Sequence, residues 1–510
     1  MKASFRGPWK KSSGTFSRHE NLRFSRELRS RDRIHATEQA VDHVDQQPAS
    51  WPWKKSSGTF SRHENLRFSR ELRSRDRIHA TEQAVDHVDQ QPARAWGLVT
   101  CLFLVAGLAA AGCRPADPDA VVIVSSLPRT GSAKQQSDTL VRGIRMAIEE
   151  AGGRVGPFRV EYRDLDDSTA AAGQWTSEAE AANARRALQD PDVVAYIGTF
   201  NSGAAKVSMP ILNLGDLLMV SPANTAVGLT KPGLGAPGEP GVYRPTGRLN
   251  YTRVVPADDL QGPLSADWAV SRGVKTVCIL DDNEVYGKGI ADLFDERCRE
   301  LGIEVLAHDS IDSRAQEFKS LMASIKALRP DLVYFGGTTQ SKGGQLAKDM
   351  VSAGITAILM VPDGCREQVF IDSAGAANLE GRCFVTFGGL PPEKLTGKGQ
   401  AFVERYRARF GEIPEAYAVY GYEAACVALE AIRQAGTKDR RAITDAALAI
   451  RDFDGALGHW GFDDNGDTTM RTLTVSVVKN GRFEFEEIID ASLVDGEEAA
   501  TTPAAAPAVP

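Results

Sequence analysis

Histidine is scarce where catalysis would need it. Of eight histidines in 510 residues, six fall before Gly112, and only His308 and His459 lie beyond. The body of the chain is therefore poorly supplied for a histidine-built metal centre or a Ser/His/Asp hydrolase. Aromatic residues make up only 7%, which tells against a membrane channel. A strong net charge is also missing. The formal value of −7 gives no reason to expect nucleic acid as a partner. That average hides a split, because the chain up to Gly112 holds 19 basic against 12 acidic residues and the remainder 41 against 55. What is present is ordinary for a globular protein: 42% hydrophobic and 25% charged residues, over a length that suggests two compact domains.

The first 112 residues stand apart. Pro8–Ala49 and Pro52–Ala93 are identical, at a spacing of 44 residues. Solenoid repeats diverge and need at least three copies to stack, whereas this is a perfect double, polar and without a sustained apolar face. Residues 1–93 read as a disordered basic leader. Residues 94–112 are an arginine followed by the apolar run Ala-Trp-Gly-Leu-Val-Thr-Cys-Leu-Phe-Leu-Val-Ala, ending in small residues, which is the layout of a secretory signal. Ala110-Ala111-Gly112-Cys113 resembles the lipobox of bacterial lipoproteins, in which the cysteine is lipidated and becomes the new N-terminus. A lipid anchor at Cys113 would tie the body to a membrane from outside the cytoplasm. No methionine lies between Met1 and Met146, so a non-ATG start near Val85 or Val88 would explain the position of the signal.

After a tether at residues 113–120 a rhythm begins. Strands are expected at Val121–Ser126, Arg159–Asp164, Val193–Gly198 and Leu218–Val220, with helices at Ser137–Glu150, Ser177–Leu188 and Ser202–Leu214 between them. The glycine- and proline-rich stretch Lys231–Gly247 interrupts the pattern. It then resumes with strands at Thr276–Leu280, Glu304–Asp309, Leu332–Phe335, Ala357–Val361 and Cys383–Phe387, and helices at Gly287–Leu301, Glu317–Leu328 and Gly343–Ala353. Helices at Lys398–Phe410, Ala418–Gln434 and Arg440–Ile450 follow. The strands at Trp460–Phe462, Thr472–Val478 and Arg482–Glu487 look antiparallel, with Asn480-Gly481 as a hairpin turn. Two βα runs imply two α/β lobes, each with a mostly parallel sheet flanked by helices, and a cleft at the carboxyl ends of the strands. Residues 491–510 read as a disordered Ala/Pro tail.

Gly198-Thr-Phe-Asn-Ser202, Val220-Ser-Pro-Ala-Asn-Thr225, Asp282-Asn-Glu-Val-Tyr286-Gly-Lys-Gly289, Phe335-Gly-Gly337, Phe453-Asp-Gly455 and Phe462-Asp-Asp-Asn-Gly-Asp467 occur in this order. In order and spacing, from about Val121 to Glu487, the chain resembles the branched-chain amino-acid (Leu/Ile/Val-type) substrate-binding proteins of ABC transporters, which are type I periplasmic binding proteins. The resemblance implies a two-lobed, Venus-flytrap fold with three hinge crossings, placed near Pro256, Phe387 and Gly458. Lobe 1 would then comprise residues 121–256 and 388–458, and lobe 2 residues 257–387 and 459–490.

The residues support a ligand site on their own terms. Ser202 follows a strand and opens a helix, where free N–H groups and the helix dipole favour an anion. The resemblance implies a carboxylate clamp of Ser202, the backbone at Ala223 and the hydroxyl of Thr225. It gives Asp363 the role of receiving the ligand's ammonium and makes Tyr286 a pocket aromatic. Thr338 and Gln136 stand where Leu/Ile/Val binders carry tyrosines, which makes the pocket more polar or roomier. Asp463–Asp467 reads as a turn, since its glycine comes too early for an EF-hand loop. Cys365 and Cys383 flank the segment after Asp363 and would make a disulfide there. No nucleophile–base pair, metal set or cofactor motif stands out, so neither catalysis nor a cofactor is expected. The function implied is capture of an amino acid, branched-chain or a similar small zwitterion, for delivery to permease subunits. A ligand-sensing receptor of the same fold, taking an amide or an organic acid, is the alternative.

Overall fold

In a computed structural model the chain is described over residues 117–491. The leader, the apolar segment, Cys113 and the tail beyond residue 491 lie outside the described residues. Lobe 1 is built on β1 (Ala120–Leu127), β2 (Arg154–Val155) and β3 (Phe158–Asp166), the small hairpin β4 (Ser168–Thr169) and β5 (Gln174–Trp175), then β6 (Val193–Gly198), β7 (Leu218–Ser221) and β8 (Tyr251–Arg253). Its six-stranded sheet runs β2-β3-β1-β6-β7-β8 and is parallel except for β2. Every residue of β1 and β6 is buried, as the unbroken runs Ala-Val-Val-Ile-Val and Val-Val-Ala-Tyr-Ile require of strands covered on both faces.

Lobe 2 holds β9 (Thr276–Asp281), β10 (Glu304–Ser310), β11 (Leu332–Gly336), β12 (Ile358–Val361) and β13 (Cys383–Gly388). Beyond the small hairpin β14 (Phe453–Gly455) and β15 (Gly458–Trp460) come β16 (Thr472–Lys479) and β17 (Arg482–Asp490). The seven-stranded order is β10-β9-β11-β12-β13-β16-β17, parallel except that β16 runs against both of its neighbours, β13 and β17. Asn480 and Gly481 both take positive φ (52° and 73°), the geometry of the tight hairpin turn expected there. In both sheets the strand order reverses direction at a central strand, β1 and β9. The crevices at these switch points are where open α/β sheets hold ligands.

The chain passes between the sheets three times. It first crosses after β8 into the helix Asp258–Ser271. That helix is not evident in the sequence, since Gly262-Pro263 interrupts it. Gly262 is needed because a Cβ there would lie 2.8 Å from Cβ of Leu293 on the neighbouring helix Val285–Glu300. The second crossing follows β13, after which Phe402 and Tyr406 of the helix Lys398–Phe410 join the lobe 1 core. The third differs from expectation. Trp460 and Phe462 pack into the lobe 1 core, Trp460 Nε1 donates to Glu423 (2.8 Å), and Asp467 bridges to Arg253 beside β8. The return to lobe 2 therefore lies at residues 468–471 rather than near Gly458, held back by the buried aromatic cluster of Phe453, Trp460 and Phe462.

The Asp463–Asp467 segment is the expected turn. Asp463 Oδ1 accepts from the N–H groups of Asn465 and Asp467, both at 2.9 Å. The Asp467 carboxylate is taken by Arg253 (Nε–Oδ1 2.7 Å). Among the described residues no cluster could hold a metal ion, and no helix is long and apolar enough to cross a membrane.

Candidate functional site

On lobe 1, β6 ends at Gly198 and the helix Ser202–Asn213 begins four residues later. The helix cap is Asn201, not Ser202, and the Asn201 side chain makes no capping bond. Ser202 is buried, and its Oγ accepts from the N–H of Ala226 (3.3 Å). Its own hydroxyl proton thus remains for a ligand, beside first-turn N–H groups that have no intrahelical partner.

The facing loop is braced from several sides. Ser221 Oγ accepts from the N–H groups of Ala223 (3.2 Å) and Asn224 (2.8 Å). The Asn224 side chain donates to Thr199 Oγ1 (3.2 Å) and the Phe200 carbonyl (3.0 Å). Arg253, fully buried, donates to the carbonyls of Asn224 (3.3 Å) and Ala226 (2.9 Å), either side of Thr225. Thr225 is 1% exposed, and its hydroxyl faces the buried Asp258 carboxyl. Because Ser221 occupies the Ala223 N–H, the group Ala223 can offer a ligand is its carbonyl, an acceptor suited to an ammonium.

On lobe 2, Asp363 follows β12 and is buried. Tyr286 donates its hydroxyl proton to Asp363 Oδ1 (2.6 Å), and the Tyr286 oxygen accepts from the Gly364 N–H (3.2 Å). Tyr417, from the helix Ala416–Ala435, donates to Oδ2 of the same carboxylate. That helix packs in the lobe 1 core, so one carboxylate is held by hydroxyls from both lobes. Tyr417 is wedged edge-on between Phe200 and Phe387, at 5.3 Å from each. Burial pushes the Asp363 carboxyl upward, opposed by the tyrosine hydroxyls. Asp258 is buried as well, and burial followed by repulsion from Asp363 pushes it well up, opposed by the Thr225 hydroxyl beside it. Two buried carboxyls in mutual repulsion make a place where a cation would be stabilised.

Ser202, Ala223, Tyr286, Thr338 and Asp363 meet around one small cavity, with Phe200 and Tyr417. Thr225 and Gln136 do not line it. Gln136, in the first turn of the helix Lys134–Glu150, is buried at 1% exposure with neither amide atom partnered among the described residues. Thr338 Oγ1 is bound up with Ser341 (2.9 Å), so its hydroxyl adds less polarity to the cavity than expected. Sequence reasoning missed Tyr417 and Asp258. The first looks like one more apolar-face residue of a core helix, and the second sits at the start of the helix hidden by Gly262-Pro263.

The disulfide expected between Cys365 and Cys383 is not formed. All five described cysteines are free thiols. Cys365 Sγ turns to the Gly337 carbonyl (3.6 Å), Cys383 opens β13 inside the lobe 2 core, and burial pushes both thiols up. Buried thiols of this kind behave as small apolar groups.

The chain matches the periplasmic binding protein family over residues 97–482. It is 27% identical over 358 residues to an amino acid binding protein of Pseudomonas aeruginosa, covering 70% of this chain and 89% of that one. It is 28% identical over 394 residues to a Leu/Ile/Val-binding protein of Rhizobium johnstonii, covering 75% and 98%. Among solved structures it resembles a leucine binding protein from Thermotoga maritima (TM-score 0.64, 29% identity, covering 72% of this chain and 99% of that one). The fold is shared too by a solute binding protein of an ABC transporter from R. palustris in complex with benzoate (TM-score 0.62, 20% identity, covering 72% and 96%). Two parallel-sheet lobes, three crossings and a cleft at the strand ends agree with a match spanning most of the chain, and the protein belongs to the periplasmic binding protein family, with the type I fold.

Proposed function

We propose that this protein is an extracytoplasmic solute-binding protein that captures an amino acid between its lobes and delivers it to the permease subunits of an ABC transporter. The observation that carries this reading is the Asp363 carboxylate, held by Tyr286 and Tyr417 on one side of a cavity whose other side offers the Ser202 hydroxyl. The ligand's carboxylate meets Ser202 and the helix start. Its ammonium meets Asp363, with the Ala223 carbonyl as a further acceptor. The names of the relatives, amino acid binding and Leu/Ile/Val-binding, support the ligand class. Cys113 carries the lipid anchor, and Cys113→Ser should move the protein from the membrane to the soluble fraction, because acyl chains supply the anchoring energy. The test of the ligand is a thermal-shift screen of the purified chain against amino acids and their deaminated acids. A ligand at 100 times its dissociation constant adds about 2.7 kcal/mol of stability. Stabilisation by deaminated acids but by no amino acid would refute the assignment. Loss of uptake of the identified amino acid on deletion of the gene tests delivery to a permease.

A further inference from the structure

Next to the cavity at Asp363 lies a second compartment, which shares Asn201, Ser202, Tyr286 and Thr338 with it. On the amino-acid reading above, on which this inference rests, it is where the ligand's side chain goes. An aliphatic side chain needs an apolar lining, yet Val285 is the only aliphatic residue among those that line it. Beside the rings of Trp175 and Tyr286, the others include Gln174, Asp282, Glu284, Ser313 and Gln340.

Gln340 is the informative one. It is 9% exposed, and both its Nε2 and its Oε1 are buried without a partner among the described residues. Across the compartment, on lobe 1, Asn201 Oδ1 is buried and likewise unpartnered. Asp282 is not free in the same way, since its oxygens accept from Ser341 Oγ (2.5 Å) and the Glu284 N–H (3.0 Å). A buried amide offering one donor and one acceptor is matched by a group that offers the same. A cationic side chain could meet Oε1 and the Glu284 carboxylate, but it would leave Nε2 unpaired. A branched aliphatic chain would leave both unpaired, and unpaired buried polar groups are the strongest means by which a site rejects a ligand.

We propose that Gln340, with Asn201 facing it from the other lobe, selects a ligand whose side chain carries an uncharged donor–acceptor group, a carboxamide or a hydroxyl, over its aliphatic isostere. Titration calorimetry on the full chain with three shape-matched pairs of amino acids tests this: asparagine with leucine, threonine with valine, and glutamine with methionine. At least one polar member should bind ten-fold or more tightly than its apolar partner, and Gln340→Met should reduce that ratio to within about three-fold. If the Met variant does not fold, Gln340→Glu, which keeps the shape and loses the donor, should weaken the polar ligand at least ten-fold. Leucine, valine or methionine binding as tightly as its polar partner in every pair overturns the inference and leaves the amino-acid reading standing. A ratio that persists in the folded Met variant overturns the role of Gln340. Failure of all six to bind overturns this inference, while the amino-acid reading stands or falls by the thermal-shift screen above.

Discussion

Replacing Asp363 by Asn tests the ammonium site most directly. The side chain keeps its size, but the carboxylate that Tyr286 (2.6 Å) and Tyr417 both approach becomes an amide with a single acceptor oxygen. Two effects oppose one another in the ligand-free protein. One tyrosine loses its acceptor, about 1 kcal/mol for an ordinary hydrogen bond. The burial that pushes the carboxyl up no longer acts on a neutral amide, and repulsion with Asp258 disappears. Stability without ligand should therefore change by no more than about 1 kcal/mol. Binding is different, because the ligand's ammonium would face a closed cleft without its counter-charge. Removing one partner of a buried, hydrogen-bonded charge pair costs about 2–5 kcal/mol, a loss of at least roughly thirty-fold in affinity. A deaminated analogue should lose little further when moved from the native protein to the Asn variant. Calorimetry on two proteins with two ligands closes the cycle. Strictly additive losses would mean that Asp363 does not touch the ammonium, and the assignment of the cavity would fall.

Other expectations can be checked by the same means. Ser202→Ala should weaken ligand binding by roughly ten- to a hundred-fold, the loss of a bond to a charged group, at about 1.5–3 kcal/mol. Because Asn201 is the helix cap, its effect on ligand-free stability in urea should be limited to about 1 kcal/mol from the orphaned Ala226 N–H. Asp467→Asn leaves the guanidinium of Arg253 buried without its counter-ion, so chemical denaturation should show a loss of about 3–5 kcal/mol, and an unchanged midpoint would deny the pair any structural role. Burial pushes the Glu367 carboxyl up from 4.5 to about 8, so the folded chain holds a proton there that the unfolded chain releases. Its contribution to stability is present below about pH 4.5 and lost as pH rises through about 8, and Glu367→Gln should flatten the stability profile across that window by about 1.4 kcal/mol per pH unit. A profile with undiminished slope would refute this reading of Glu367.

How much was legible in the sequence depended on the range of the interaction. Val193–Gly198 is a strand over the span its unbroken apolar run suggests, and Lys398–Phe410 a helix that stops at Gly411, whose φ of 77° closes it. Both signals are local. Ser202, Tyr286 and Asp363 could be singled out because each stands at the end of a strand or the start of a helix in a recurring motif. Tyr417 could not, since a tyrosine on the buried side of a helix looks the same whether it packs or donates a proton to a residue 54 positions away. The cysteine pairing failed for a related reason. Spacing brought Cys365 and Cys383 into one region, but the direction of each side chain is set by the packing of lobe 2. The third crossing moved because Trp460 and Phe462, read as an antiparallel strand after the crossing, serve the lobe 1 core instead.

The bond between Arg253 and Asp467 ties the chain just before the first crossing to the chain just before the third. Both ends are therefore anchored to lobe 1, which leaves residues 254–257 and 468–471, with the segment after β13, as the stretches that join the lobes. The same guanidinium grips the carbonyls around Thr225, so that loop is fixed to lobe 1. On the proposed amino-acid reading, recognition would then have a sequence in time. The carboxylate half of a ligand would find a finished seat on lobe 1, and the Asp363 half would arrive only as the lobes close. Affinity for the first half would govern capture, and affinity for the second would govern how long the closed form survives.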